Sequence, residues 1–270
     1  MDMGMYLRNM GEVATRETIR AGAAAAERAG LHSVWVVDHI AIPPDQSSGS
    51  GGRYLDPLAT LAYLAGATER IGLGVAVLVV PYRPALATAK WIATIQELSD
   101  NRMQLGVGVG WMKEEFAATG ADRSRRGTVT DETLEQFQAW FASDEAISNG
   151  QPFLFKPRPP MPPIYVGGGG SAARRRAVRF GQAWMPIGAD PVKLAAGIDE
   201  LARFADEAGR ERPDVVPVAT LPTSEPARAI DAAAELQNLG CTGLIHGFRY
   251  DAGAAFEEEA VRLAEISAAL

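Results

Sequence analysis

Three stretches of the chain bring together residue types that could do chemistry. Asp38 closes the run SVWVVD (33–38) and His39 follows it. An imidazole that exchanges its proton near neutral pH, next to a carboxylate, suits a proton or hydrogen-bond relay against a bound cofactor. A plain loop anchor, with the aspartate capping a turn at a strand end, fits the same pair. The second stretch, RMQLGVGVGWMKEEF (102–116), carries Gly106, Gly108 and Gly110. The dinucleotide fingerprint spaces its glycines G-x-G-x-x-G in the first strand–helix unit of its domain, whereas here the third comes one residue early and far along the chain. We read the ladder instead as a strand whose missing side chains at Gly106 and Gly108 let a flat ligand lie against the backbone, with Trp111 placed to stack on a ring. The third, PIYVGGGGSAARRR (163–176), runs Gly167, Gly168, Gly169 and Gly170 into a helix with Ser171 as the expected N-cap. Free amides and a helix dipole at such a turn favour a phosphate.

The elements that must position these residues follow from periodicity. Short apolar runs at 3–7, 33–38, 71–79, 103–109, 163–168, 183–188, 215–220 and 243–247 alternate with alanine-rich amphipathic stretches near 12–29, 56–68, 84–98, 130–142, 171–180, 191–208, 225–238 and 252–268. Alternation of this kind means a parallel sheet with crossover helices. Eight such units in about 250 residues close into a (β/α)₈ barrel rather than an open sheet. The expected fold is therefore α/β, one TIM-barrel domain over residues 1–270. Gly30, Gly209 and Gly240 end three of the helices, and Asp190-Pro191 and Ser224 with Pro226 begin two. Two longer connections break the rhythm: 40–55, a lid candidate, and 143–162, an irregular insert.

In a barrel, chemistry is built at the C-terminal ends of the strands. His39 falls there, and so does His246, which suits either a satisfied structural histidine or a ligand contact. His32, the last of the three histidines, precedes a strand and reads as structural. A net charge of −7 and the absence of a long basic window argue against nucleic acid, with RSRR (123–126) and RRR (174–176) read as solvated faces. The single cysteine, Cys241, leaves no disulfide framework and no multi-cysteine metal site, and fits a reducing cytosol. No leader pattern and no apolar run of about 18 residues is present, so a cytoplasmic protein without a membrane span is expected. With no HExxH, no metal-spaced His/carboxylate cluster and no G-x-S-x-G elbow, the chemistry is expected to come from an organic cofactor and no metal.

The segments GLHSVWVVDH, RIGLGVAVLVVPYRPALATAKWIATIQELSDNRMQLGVGVGWMKEEFAATG, RGTVTDE and PPIYVGGGGSAARRRAVRFGQAW resemble the luciferase-like monooxygenase superfamily, most closely the actinobacterial oxidoreductases that use coenzyme F420. The resemblance runs in order from about residue 3 to 215. It implies a (β/α)₈ barrel, commonly a homodimer, that holds a flavin or deazaflavin in its mouth for hydride transfer to or from a small-molecule substrate. It further implies that Asp38 and His39 lie near the ring, that Ala76-Val77 is a non-proline cis peptide forming a bulge behind it, and that Gly167 to Ser171 receive the cofactor phosphate. Two departures stand out. Sugar-phosphate dehydrogenases of the superfamily place a glutamate where this chain has Trp111, so that reaction is not expected. Many relatives also read G-D-G-W where this chain has Gly181-Gln182-Ala183-Trp184.

Together these readings point to an F420-dependent oxidoreductase, with an FMN-dependent monooxygenase as the alternative on the same barrel. A non-catalytic ligand-binding barrel is the reading from another class. A phosphosugar isomerase or aldolase would need an inward lysine or carboxylate, which the strands do not offer.

Overall fold

The computed structural model describes residues 1–250 and 253–270. Its strands are β1 (Asp2–Tyr6), β2 (Ser33–Val36), β3 (Gly72–Val79), β4 (Met103–Gly108), β5 (Glu145–Ser148), β6 (Gln151–Leu154), β7 (Ile164–Gly167), β8 (Ala183–Met185), β9 (Asp214–Val215), β10 (Val218–Ala219) and β11 (Gly243–His246). The α-helices are α1 (Arg16–Ala29), α2 (Pro57–Ala65), α3 (Ala85–Leu98), α4 (Lys113–Thr119), α5 (Arg126–Ala142), α6 (Ser171–Phe180), α7 (Pro191–Ala208), α8 (Pro226–Asn238) and α9 (Gly253–Ala268). The predicted start of the last helix, Ala252, lies outside the described residues.

Nine strands form one sheet in the order β10-β11-β1-β2-β3-β4-β7-β8-β9, every pairing parallel. The two ends of that order are halves of a single strand, interrupted at Val216–Pro217 because proline has no N–H for the ladder. On one side Val216 N donates to Trp184 O at 2.9 Å and Val218 N to Pro186 O at 2.8 Å; on the other Ile245 N donates to Pro217 O at 2.9 Å. The sheet therefore closes on itself into the expected α/β barrel, with the predicted seventh strand split in two.

Two layers of apolar side chains hold it. The outer layer, including Leu73, Leu105 and Val166, packs against Leu61, Ile92, Phe137 and Leu201 of the surrounding helices. The inner layer is small and centres on Trp35, Met185 and Ile245. Trp35 fits inside because the strands beside it are bare: a Cβ on Gly74 would lie 2.2 Å from its ring, and one on Gly4 would lie 2.6 Å from its indole nitrogen. Trp35 Nε1 donates to Ser33 Oγ at 2.7 Å, which leaves this polar atom satisfied within the barrel.

The helix ends mostly follow their sequence signals. Gly30 and Gly209 adopt φ of 81° and 61° as left-handed caps, and Asp190 caps the amide of Lys193. Glu225 rather than Ser224 precedes α8, and no side chain caps it. The structure also adds elements that the hydrophobic pattern hides. The region expected to be an irregular insert contains the antiparallel β5–β6 pair, turned by Asn149 and Gly150 with φ of 49° and 76°. An Asn-Gly pair is the residue choice that such a turn demands. The short α4 was not expected, and no helix among the described residues is long and apolar enough to cross a membrane.

Candidate active site

A cavity of about 370 Å³ opens at the C-terminal ends of the strands, within the roughly 300–1,000 Å³ range of small-molecule sites. Its wall is mostly apolar, formed by Ala76, Val77, Val79, Val109 and Met185. Tyr6, Asp38, His39, Tyr82 and Glu115 contribute the ionisable and hydroxyl groups. Trp111 and Ile187, 66% and 87% exposed, stand at the rim.

His39 is the oriented group of this site. Its Nδ1 lies 2.9 Å from Oε2 of Glu115, a carboxylate from the first turn of α4 whose side chain is 1% exposed. Oε1 of Glu115 accepts from the amides of Ile40 at 2.7 Å and Ala41 at 3.0 Å, and Tyr82 Oη donates to Oε2 at 3.3 Å. Burial pushes the Glu115 carboxyl up, but the amides of Ala41 and Ile40 and the His39 ring outweigh it and hold the group below its ordinary value. Glu115 is thus ionised and accepts from Nδ1–H, so in the neutral imidazole the lone pair falls on Nε2. The ring is further fixed by Tyr54, 4.9 Å away between centroids, and faces Trp111 edge-on at 6.4 Å.

Asp38 is committed to the framework. Its side chain is fully buried, Oδ2 accepts from Val79 N at 2.9 Å and Arg83 Nη1 at 2.6 Å, and Oδ1 accepts from Arg83 Nη2 at 2.8 Å. Arg83 extends the pair to Asp56, the N-cap of α2, at 2.8 Å. The expected Asp38-His39 relay is therefore divided: the structure joins His39 to Glu115 and Asp38 to Arg83. The start of the 40–55 loop is pinned by Glu115, and its far end by Leu55 N donating to Asn9 O at 2.8 Å.

The glycine ladder makes room, though for protein. The β3–β4 register shifts between Val75 and Leu78, a bulge that throws Val77 toward β4, and Ala76-Val77 is cis. A Cβ on Gly106 would sit 2.0 Å from Val75 O, one on Gly108 would sit 2.4 Å from Val77 Cγ2, and one on Gly167 would sit 2.6 Å from Val77 Cγ1. This corrects the expectation for Gly106, whose open side is filled by the neighbouring backbone and by Met185, so that it stays off the cavity wall. Gly108 and Gly167 do reach the wall, as do Ala76, Val77 and Trp111.

Past β7 the chain turns through Gly168, whose φ of 123° favours glycine, and enters α6. Gly168 still lines the cavity, whereas Gly169 and Ser171 line an adjoining open depression. The N-cap is Gly170 and not Ser171; the serine is the first helical residue, and its hydroxyl lies 3.0 Å from both oxygens of Glu200. His246 does not line the cavity. Fully buried, it accepts from Leu221 N at Nδ1 (3.1 Å) and donates from Nε2 to Glu259 (2.9 Å), a satisfied structural histidine.

Comparison with known proteins decides the family. The model of the luciferase-like monooxygenase family matches residues 5–268. The chain belongs to the luciferase-like monooxygenase family. An uncharacterized protein of Mycobacterium tuberculosis is 31% identical over 245 residues, 84% of this chain and 83% of that protein. The F420-dependent hydroxymycolic acid dehydrogenase of the same organism is 32% identical over 221 residues, 76% of this chain and 59% of its own length. The FMNH(2)-dependent dimethylsulfone monooxygenase of Pseudomonas putida is 31% identical over 149 residues, 51% of this chain and 41% of that enzyme. Among solved structures, an F420-dependent secondary alcohol dehydrogenase in complex with an F420–acetone adduct superposes with a TM-score of 0.79 at 17% identity, covering 98% of this chain and 97% of that one.

Relatives in this luciferase-like family thus include both F420-dependent dehydrogenases and FMN-dependent monooxygenases. Within the family's barrel, Glu115, Arg83 and Tyr82 are the site residues that sequence reasoning missed. Only one signal pointed to Glu115: an acid beside Phe116 in the first turn after the glycine ladder, on the side where a helix buries its apolar stripe.

Proposed function

We propose that the protein is an F420-dependent oxidoreductase that moves a hydride between the deazaflavin and an organic substrate of the alcohol–carbonyl type. The observation that carries this reading is His39: Glu115 holds its Nδ1–H, and the ring presents its proton-accepting nitrogen in an apolar cavity. The cavity fits a flat ring, with Ala76 and Val77 as the wall behind it and Gly108 and Gly167 as bare edges. Gly168, Gly169 and Gly170 with Ser171 would receive the phosphate, because a Cβ on Gly169 or Gly170 meets nothing within 4 Å and the loop backbone is open to approach. Bound there, the deazaflavin would supply a two-electron hydride acceptor. His39 Nε2 would take the hydroxyl proton of a bound carbinol and return it in the reverse direction, so that charge would not be left on the carbonyl oxygen. Asp38 stabilises the strand end that carries His39, and Trp111 and Ile187 shape the rim.

The alternative is an FMN-dependent monooxygenase on the same ring site, supported by the dimethylsulfone monooxygenase among the relatives. The experiment that separates them is oxygen uptake with each chemically reduced cofactor and purified protein. The proposal expects protein-dependent substrate turnover with F420 and no oxygen consumption coupled to it. Oxygen uptake coupled to product formation with reduced FMN would transfer the assignment to the monooxygenase.

A further inference from the structure

The N-terminal end of α6 is already faced by an anion of the chain's own. Glu200, midway along α7, places both carboxylate oxygens 3.0 Å from Ser171 Oγ, and Oε2 accepts from Arg174 Nε at 2.5 Å. Arg203 Nη2 lies 3.6 Å from Oε1. Arg174 is tethered independently of Glu200: its Nη1 donates to Gly169 O at 2.8 Å, and its guanidinium lies 5.2 Å from the centre of the Trp184 ring. No side chain caps Gly170 at the head of this helix. A hydroxyl, a guanidinium and a helix dipole thus converge on one negative group, beside the loop whose other glycines line the ring cavity.

We propose that Glu200 is an internal stand-in for the cofactor phosphate, holding Ser171 and Arg174 in the free protein and giving way when a phosphorylated flavin or deazaflavin binds. The inference rests on the phosphate-loop reading above. Two anions sharing one donor set repel strongly at 3–4 Å, so the carboxylate must leave for the phosphate to take its donors. Glu200 has somewhere to go. It is 24% exposed in its side chain and can turn toward solvent, where Arg203, one turn further along α7 and paired through Nη1 with Glu207 at 2.7 Å, still offers Nη2. The displacement acts as a selectivity filter: a ligand without a phosphate gains nothing from this end of the site, and a phosphorylated one gains only what exceeds the carboxylate it replaces.

The test compares ligands that differ only by the phosphate, FMN against riboflavin and the phosphate monoester of the F420 chromophore against the free chromophore, in fluorescence titrations of the wild-type protein and Glu200→Gln. The glutamine keeps the side-chain shape and removes the charge. The expected result is that the phosphorylated ligand binds better than its partner in the wild type, and that this ratio rises by about tenfold in the variant while the unphosphorylated ligand is unaffected. A wild-type preference that Glu200→Gln leaves unchanged or lowers would overturn the proposal and make Glu200 a mere anchor for Arg174. Equal affinities within both pairs, in the wild type and in Glu200→Gln alike, would overturn the phosphate-loop reading, and this proposal with it. Glu200→Ser provides the same ratio should the glutamine variant fail to fold.

Discussion

At Glu115 one buried carboxylate accepts from the His39 ring, from the amides of Ile40 and Ala41 and from the Tyr82 hydroxyl, so its removal affects both the tautomer of His39 and the course of the chain. Glu115→Gln replaces one oxygen with a donor, and His39 must then turn its lone pair toward it. We expect kcat to fall by roughly 10²-fold or more with little change in KM, and the acid limb of the pH–rate profile to be lost, because Nε2 then carries the proton it should accept. An unchanged profile would count against His39 as the proton acceptor. Asp38→Ala acts differently. It leaves Arg83, whose side chain is only 14% exposed, with Asp56 as its one carboxylate and takes the acceptor from Val79 N, and is expected to cost about 3 kcal/mol of stability in a denaturant titration. The sequence marked Asp38 and His39 as candidates at a strand end, but the partner of each was not legible. Glu115 and Arg83 are 76 and 45 residues away from His39 and Asp38, and only the closed barrel brings each beside the right one.

Among the elements, the alternation of apolar runs and amphipathic stretches carried the barrel, because parallel strands buried on both faces and helices with one buried face have distinct periods. The β5–β6 hairpin escaped because its strands are half-exposed and lack a core-facing alternation, although SNGQ held the turn. The broken seventh strand escaped because Pro217 interrupts the ladder without interrupting the apolar run. The glycine ladder was visible, but its purpose depends on the next strand. Its glycines accommodate the bulge of β3, and that predicts an asymmetry between two similar substitutions. Gly106→Ala drives a Cβ to 2.0 Å from Val75 O, a backbone atom that cannot step aside, and is expected to cost roughly 1–3 kcal/mol in stability, as overpacked cores do. Gly169→Ala meets nothing within 4 Å and should leave the thermal midpoint nearly unchanged. Equal midpoints for the two variants would show that the bulge is not rigid.

For the molecule as a whole, acid should be the sensitive direction. Glu27, Glu115 and Glu259 all have carboxyl groups held below their ordinary value: burial opposes the shift in each, and amide or side-chain hydrogen bonds and nearby cations outweigh it. A depressed folded value means that the stability they contribute is present above the unfolded value, about 4.3, and is lost as the pH falls through the lower folded one. The urea midpoint is therefore expected to fall as the pH is lowered below about 4, with little change between about 6 and 8. A midpoint that held steady into that acid range would show that these contacts contribute no net stability. Cys241 should stay inert across the neutral range, since burial pushes its thiol up to about 11. Bound as we propose, a deazaflavin lies in the barrel mouth with its phosphate on the loop before α6. The most direct measurement is a pair of fluorescence titrations with F420 and with FMN, repeated on Gly169→Asp, a substitution for which the loop has space but which places a negative charge at the seat. Micromolar binding of F420 that the variant abolishes is the expected result; F420 binding that the variant leaves intact, or no binding of F420 at all, would overturn the proposed site.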